Sequence, residues 1–235
     1  MSELGLKPRI EVHPNHAALA AAAAGILAEA LRKAIARDGR ASFAATGGST
    51  PAPTYRRLAD EPLDWPRVGI TLTDERWVDP SSLDSNEGMV RGALLQGAAA
   101  RALLTPLWRD LASPEQAATA SEPEVRALLP FAAVLLGMGE DGHVASLFPA
   151  SPALARGLDP RGADLCIAIP AREPAPAQPR ISLTLRALLD TSLLLLLITG
   201  EPKRRTLQAA LGAAELPVRR VLEQDRAPVR ILWAP

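Results

Sequence analysis

The sequence predicts an α/β fold: a doubly wound, mostly parallel sheet with helices on both faces. Two observations predict it. Short apolar runs alternate with segments of helical periodicity along nearly the whole chain, the pattern of strands joined by crossover helices. Several of those runs, 132–136 and 193–198 above all, are apolar throughout instead of alternating, as expected of strands covered on both faces.

The elements follow in order. Residues 9–13 form a short strand candidate. The helix at about 16–37 has Leu19, Ala23, Ile26, Ala30 and Ala34, with Leu27, Leu31 and Ile35, recurring every three or four positions, a buried stripe on one face. A strand is expected at 41–45, then a helix at 51–59 with proline in its first turn. A strand at 68–72 precedes a helix at 85–95, for which Ser85 is the N-cap candidate. Ser-Pro-Glu opens a helix at 113–128. Strands are expected at 132–136, 165–169 and 181–183, followed by a short helical piece to Leu189. A strand at 193–198, a helix at 201–211 and a last strand at 229–233 complete the chain. There is no repeat at a fixed period. The proline-rich stretch at 172–179 is too short for a domain linker and reads as an ordered surface loop, so one domain over 1–235 is expected.

Composition excludes several classes of function. The 235 residues carry 26 Lys+Arg against 26 Asp+Glu, which gives no electrostatic footprint for nucleic acid or an anionic membrane. One cysteine cannot build a disulfide framework or a thiolate zinc site. One Tyr, three Phe and four Trp leave little for a site built on stacking. The alanine-rich segment at 17–28 imitates a signal-peptide core, but it starts late, lacks a basic leader and runs into Glu29, Arg32 and Lys33. It is too short to span a bilayer, and a cytoplasmic location is expected.

In doubly wound sheets ligands collect beyond the carboxyl ends of the strands. Three segments there carry chemistry. Thr46-Gly47-Gly48-Ser49-Thr50-Pro51 joins a strand to a helix. Its glycines let backbone amides approach a ligand, and the helix start adds unpaired N–H groups. It reads as a phosphoryl cradle or as an ordinary Ser/Thr-capped turn, and it is not a Walker A loop. Thr73-Asp74-Glu75-Arg76 follows the next strand. The carboxylates could accept from a polyol and Arg76 could donate to phosphate or an oxyanion, or the three could form a surface ion-pair cluster. Ser85-Asn86 downstream is a helix cap or a support for this loop.

The stretch Leu136-Gly137-Met138-Gly139-Glu140-Asp141-Gly142-His143-Val144-Ala145-Ser146-Leu147-Phe148-Pro149 is the most informative. It sets Asp141 and His143 on a tight turn after a buried strand. Histidine is the natural general base near neutrality, and a carboxylate two residues away could orient the ring or the substrate. A structural histidine capping the next helix is the alternative. His13 and His16 flank Pro14 with no accompanying cluster of ligands and read as an exposed strand–helix junction. Arg180 stands where a loop meets a strand. Lys203 lies in the first turn of a helix, where it opposes the dipole unless it reaches an anion. Cys166 reads as a small buried residue.

As an ordered set these segments resemble the glucosamine-6-phosphate deaminase/6-phosphogluconolactonase family, on the lactonase side. The matching stretches are TGGSTP at 46–51, Asp74-Glu75-Arg76 with Ser85-Asn86, LGMGEDGHVASLFP at 136–149, RISLT at 180–184, GEPK at 200–203 and LPVRRVL at 216–222. The resemblance implies the fold of deaminases, ribose-phosphate isomerases and CoA-transferases. It implies hydrolysis of 6-phospho-D-glucono-1,5-lactone to 6-phospho-D-gluconate in the oxidative pentose phosphate pathway, without cofactor or metal. It casts His143, Asp141 and Arg76 as catalytic, and Thr46, Gly47, Gly48, Ser49, Asp74, Arg180 and Lys203 as substrate- and phosphate-binding. The expected partner is a small sugar-phosphate lactone, with no nucleic acid and no membrane, bound by a monomer or weak homo-oligomer. Two rivals are a glucosamine-6-phosphate deaminase/isomerase of the same fold and a non-catalytic sugar-phosphate-binding regulatory domain. The deaminases continue with an Asn-Glu-Pro type segment where this chain has Ser146-Leu147-Phe148-Pro149.

Overall fold

A computed structural model describes residues 9–171 and 178–235. The strands are β1 (Ile10–Val12), β2 (Ala41–Ala45), β3 (Val68–Leu72), β4 (Asp74–Arg76), β5 (Leu103–Leu104), β6 (Ala133–Leu136), β7 (Cys166–Ile169), β8 (Arg180–Leu183), β9 (Leu194–Thr199) and β10 (Val229–Ala234). The helices are α1 (His16–Asp38), α2 (Ala52–Ala59), α3 (Asn86–Ala93), α4 (Pro114–Leu128), α5 (Leu154–Gly157), α6 (Leu185–Leu189), α7 (Glu201–Gly212) and α8 (Pro217–Leu222). No helix among the described residues is long and apolar enough to cross a membrane. Most of the proline-rich stretch read as a surface loop, 172–177, lies outside the described residues.

Seven strands form a wholly parallel sheet in the order β1-β10-β9-β6-β2-β3-β5. From β2 the chain moves through α2 towards the β5 edge; from β9 it moves through α7 and α8 towards the β1 edge. Right-handed crossovers taken in opposite directions put their helices on opposite faces. The expected doubly wound architecture is therefore present. β6 lies between β9 and β2, and the cleft opens where the direction of winding reverses.

The local reasons are legible in α1. Asn15 Oδ1 accepts from the Ala18 N–H at 2.9 Å to start it, and Gly39 ends it at φ 73°, its N–H on the Ile35 carbonyl. Between them Leu19, Ala23, Leu27, Leu31 and Ala34 are buried. Each buried leucine contributes about 1.5–3 kcal/mol, and the alanines let the helix lie close to the sheet.

Two expected strands do not join the main sheet. β7 and β8 pair antiparallel with each other, and β8 pairs with β4. β4 reads in sequence as a charged loop, and it was expected as one. It is a strand because its backbone completes the edge of this small sheet, while Glu75 on it is buried and fully hydrogen-bonded.

Candidate active site

A cleft of about 250 Å³ opens at the carboxyl ends of β2, β3, β6 and β9. Thr46, Gly47, Gly48, Ser49, Asp74, Arg76, His143, Arg180 and Lys203 all line it. Asp141 is absent from its wall and stands beside His143 instead. A larger hollow of about 570 Å³ lies at the other end of the sheet, around Arg37, Arg40 and Pro130. None of the residues expected to carry chemistry borders it.

His143 is placed by a turn that begins where β6 ends. The Gly139 N–H donates to the His143 carbonyl at 3.0 Å, and the Gly142 N–H to that of Gly139 at 3.0 Å. Gly142 has φ 79°, which a side chain would strain. From α8, the Val218 N–H donates to the Gly142 carbonyl at 2.9 Å. His143 Nδ1 lies 2.5 Å from Asp141 Oδ1. A carboxylate there accepts the Nδ1–H hydrogen bond, so that proton stays on Nδ1 and Nε2 carries the lone pair. The imidazole is 29% exposed, open enough to meet water. A Cβ on Gly139 would stand 2.2 Å from the imidazole Cε1 and Nδ1, so the dyad fits only over a glycine.

The carboxylates after β3 behave differently from the expectation that both could grip a polyol. Asp74 is 5% exposed. It accepts the Ser146 hydroxyl at 2.5 Å and the Thr73 hydroxyl at 3.1 Å, and Arg180 Nη1 lies 3.8 Å from Oδ2. Its oxygens already hold protein donors. Glu75 turns away from the cleft altogether. It accepts the N–H groups of Arg76, Asn86 and Glu87 at 2.7–2.8 Å and the Ser85 hydroxyl at 3.0 Å, and so it caps α3 from outside. Burial pushes its carboxyl above the ordinary glutamate value, against the pull of those four donors.

Arg76 donates through Nη1 to the Asp84 carbonyl, while its buried Nε has no hydrogen-bond partner among the described residues. An unsatisfied buried donor at a cleft wall is poised for an anionic acceptor. Burial lowers the Arg180 pKa, and the Asp74 carboxylate opposes that shift. Ser85 is the cap of α3, as expected, its Oγ accepting from the Gly88 N–H at 3.0 Å.

On the other wall, Gly48 has φ 99° and the first turn of α2 has no side-chain cap. Gly200, at φ 82°, leads into α7, which also lacks one. Two uncapped helix starts thus face one cleft, with Lys203 on the first turn of the second. Its neighbour Arg204 is engaged by Glu201 at 3.2 Å and by the Trp233 ring at 4.3 Å. Lys203 has no ion-pair partner among the described residues.

Sequence reasoning missed the depth of Asn86's involvement. Asn86 Nδ2 donates to the Asp74 carbonyl at 2.8 Å, and its Oδ1 would lie 1.9 Å from a Cβ on Gly47. Gly47 is therefore required for the approach of the Asn86 side chain, and no local pattern announces that pairing. His13, expected at an exposed junction, is half-buried, its Nε2 enclosed and without a partner among the described residues, because β1 carries it in beside β10. Cys166 is buried and its thiol pKa is pushed far up.

A family model described as glucosamine-6-phosphate isomerases/6-phosphogluconolactonase matches residues 14–233. The 6-phosphogluconolactonase of Caulobacter vibrioides is 49% identical over 96% of this chain and 97% of its own. That of Pseudomonas putida is 40% identical over 100% and 97%. The crystal structure of a 6-phosphogluconolactonase from Shewanella baltica superposes with a TM-score of 0.92 at 33% identity, covering both chains in full.

Proposed function

Because the chain belongs to the glucosamine-6-phosphate isomerase/6-phosphogluconolactonase family, we propose that it hydrolyses 6-phosphoglucono-1,5-lactone to 6-phosphogluconate with His143 as general base. The observation that carries the reading is the His143–Asp141 pair at the rim of a cleft with unpaired cations. Water attacks the lactone C1. His143 Nε2 takes its proton as the new C1–O bond forms, and charge develops on the carbonyl oxygen. Collapse breaks the bond from C1 to the ring oxygen, and the imidazolium returns the proton to that oxygen. Lactone and water give the acid, with nothing oxidised or reduced. Asp141 holds the tautomer and steadies the imidazolium.

The remote phosphate fits the amides and hydroxyls of Thr46, Gly47, Gly48 and Ser49 together with Lys203. Arg76 and Arg180 complete the positive wall. Fixing the phosphate sets C1 against the base, so binding energy far from the reacting bond orients it. Asp74, already hydrogen-bonded, holds Ser146 and Arg180 in place more than it holds a sugar hydroxyl.

The test is proton release from freshly generated 6-phosphogluconolactone, corrected for spontaneous hydrolysis. The protein accelerates it, and folded His143→Asn loses about 10²–10⁴-fold in kcat. Full turnover by that variant removes His143 as the base; no acceleration by the native protein removes the activity.

A further inference from the structure

We infer that Phe148 is a positioning residue that sets both His143 and Arg180, fixing the base and a cleft cation relative to one another; this rests on the reading of His143 as the base. The Phe148 and His143 ring centroids are 4.4 Å apart, the planes inclined by 53°. The Arg180 guanidinium carbon lies 5.2 Å from the same phenyl centroid. One side chain is thus in contact with two groups on different elements.

The phenyl ring is itself fixed. Phe148 is 8% exposed and packs with Leu147, Ile167 and Ile169 in a small apolar cluster separate from the main core. Ile169 on β7 is the cross-strand partner of Arg180 on β8. The small antiparallel sheet therefore carries both the anchor of Phe148 and the cation it supports.

His143 needs this support for a geometric reason. The imidazole turns about its Cα–Cβ and Cβ–Cγ bonds, and the one bond from Nδ1 to Asp141 constrains those two torsions only jointly. The phenyl contact restricts the ring, and the missing side chain at Gly139 gives it the room to stand there. Nε2 is then aimed at one point in the cleft, which general-base catalysis requires. Arg180 has a carboxylate only at 3.8 Å, too long for a hydrogen bond, so its stance depends on the aromatic contact as well. The negative face of the ring favours a cation at both places: the guanidinium permanently, and the imidazolium during turnover.

Phe148→Leu tests this, because it keeps an apolar side chain in the cluster and removes the ring. Turnover and the affinity for 6-phosphogluconate are measured per folded molecule, with Leu147→Val as the packing control. Phe148→Leu lowers kcat about tenfold or more and weakens product binding severalfold. Leu147→Val leaves both constants at their native values. A native value of either constant in folded Phe148→Leu overturns the claim that one ring sets both groups, as does the same loss in Leu147→Val. Failure of the base reading shows separately, as full turnover in His143→Asn.

Discussion

Glu75 touches no substrate in the proposed mechanism, yet it fixes where Arg76 and Asn86 stand. Its four donors come from Arg76 and from the first turn of α3, so one buried carboxylate ties the strand end to the helix. Burial outweighs those donors and raises its pKa. A raised pKa in the folded chain means the proton is held more tightly there than when unfolded. The contribution of Glu75 to stability is therefore greatest in acid and declines as pH rises from the ordinary glutamate value through the folded one. Comparison of melting curves for the native protein and Glu75→Gln between about pH 4 and 8 reads this term directly. The stability difference, native minus variant, falls with rising pH. A difference that grows with pH would mean the donors win and the carboxylate is held ionised. At this scale the sequence showed that Asp74-Glu75-Arg76 mattered, but not that its two carboxylates face opposite ways. Which side of β4 faces the cleft depends on pairing with β8, about a hundred residues downstream.

Among the elements, the turn from Gly139 to His143 carries the sharpest constraint. A Cβ on Gly139 meets the imidazole at 2.2 Å and Asp141 Oδ1 at 2.6 Å, and both obstacles are the ends of partly exposed side chains. They can swing aside without moving the backbone. Gly139→Ala therefore folds with a melting temperature within a few degrees of native, roughly a 1 kcal/mol change, while kcat drops about 10²-fold because the dyad has moved. A variant that keeps native turnover would show that the imidazole position is not critical; one that unfolds would show that the turn backbone cannot relax. The elements most legible in sequence were those with a long or clean pattern: α1 with its stripe, α3 and α4 with their serine caps, and the apolar β6 and β9. The small sheet was least legible. Its strands have three or four residues, and what selects their partners is not periodicity but contacts such as Ser146 to Asp74, made across 72 positions. The loop that carries His143 could be found as a motif, and β7 and β8 as strands; their pairing with β4 into a second sheet could not.

For the whole molecule, a neutral chain must still hold an anion. The 26 positive and 26 negative side chains balance overall, while among the described residues the cleft wall holds Arg76, Arg180 and Lys203 against Asp74 alone. That asymmetry is local because strand-end loops from both halves of the winding converge at one place. Each helix start adds partial positive charge there without altering the net count. A ligand bridging the loops after β2 and β9 therefore links the two halves of the sheet, and its binding energy adds to the stability of the fold. At a hundredfold excess over Kd the gain is about 2.7 kcal/mol, which for a chain of this size is on the order of 5–10 °C in Tm. If the cleft is the phosphoryl site proposed above, 6-phosphogluconate produces that shift and gluconate does not. Lys203→Ala loses most of the shift and raises KM, with Tm of the free protein little changed because Lys203 makes no ion pair among the described residues. Equal shifts from the two acids, or a full shift in Lys203→Ala, would place phosphate recognition outside this cleft. Added salt weakens the shift only modestly: cations within a Debye length of about 8 Å at physiological salt, partly shielded by the cleft wall, are screened far less than a dispersed surface charge.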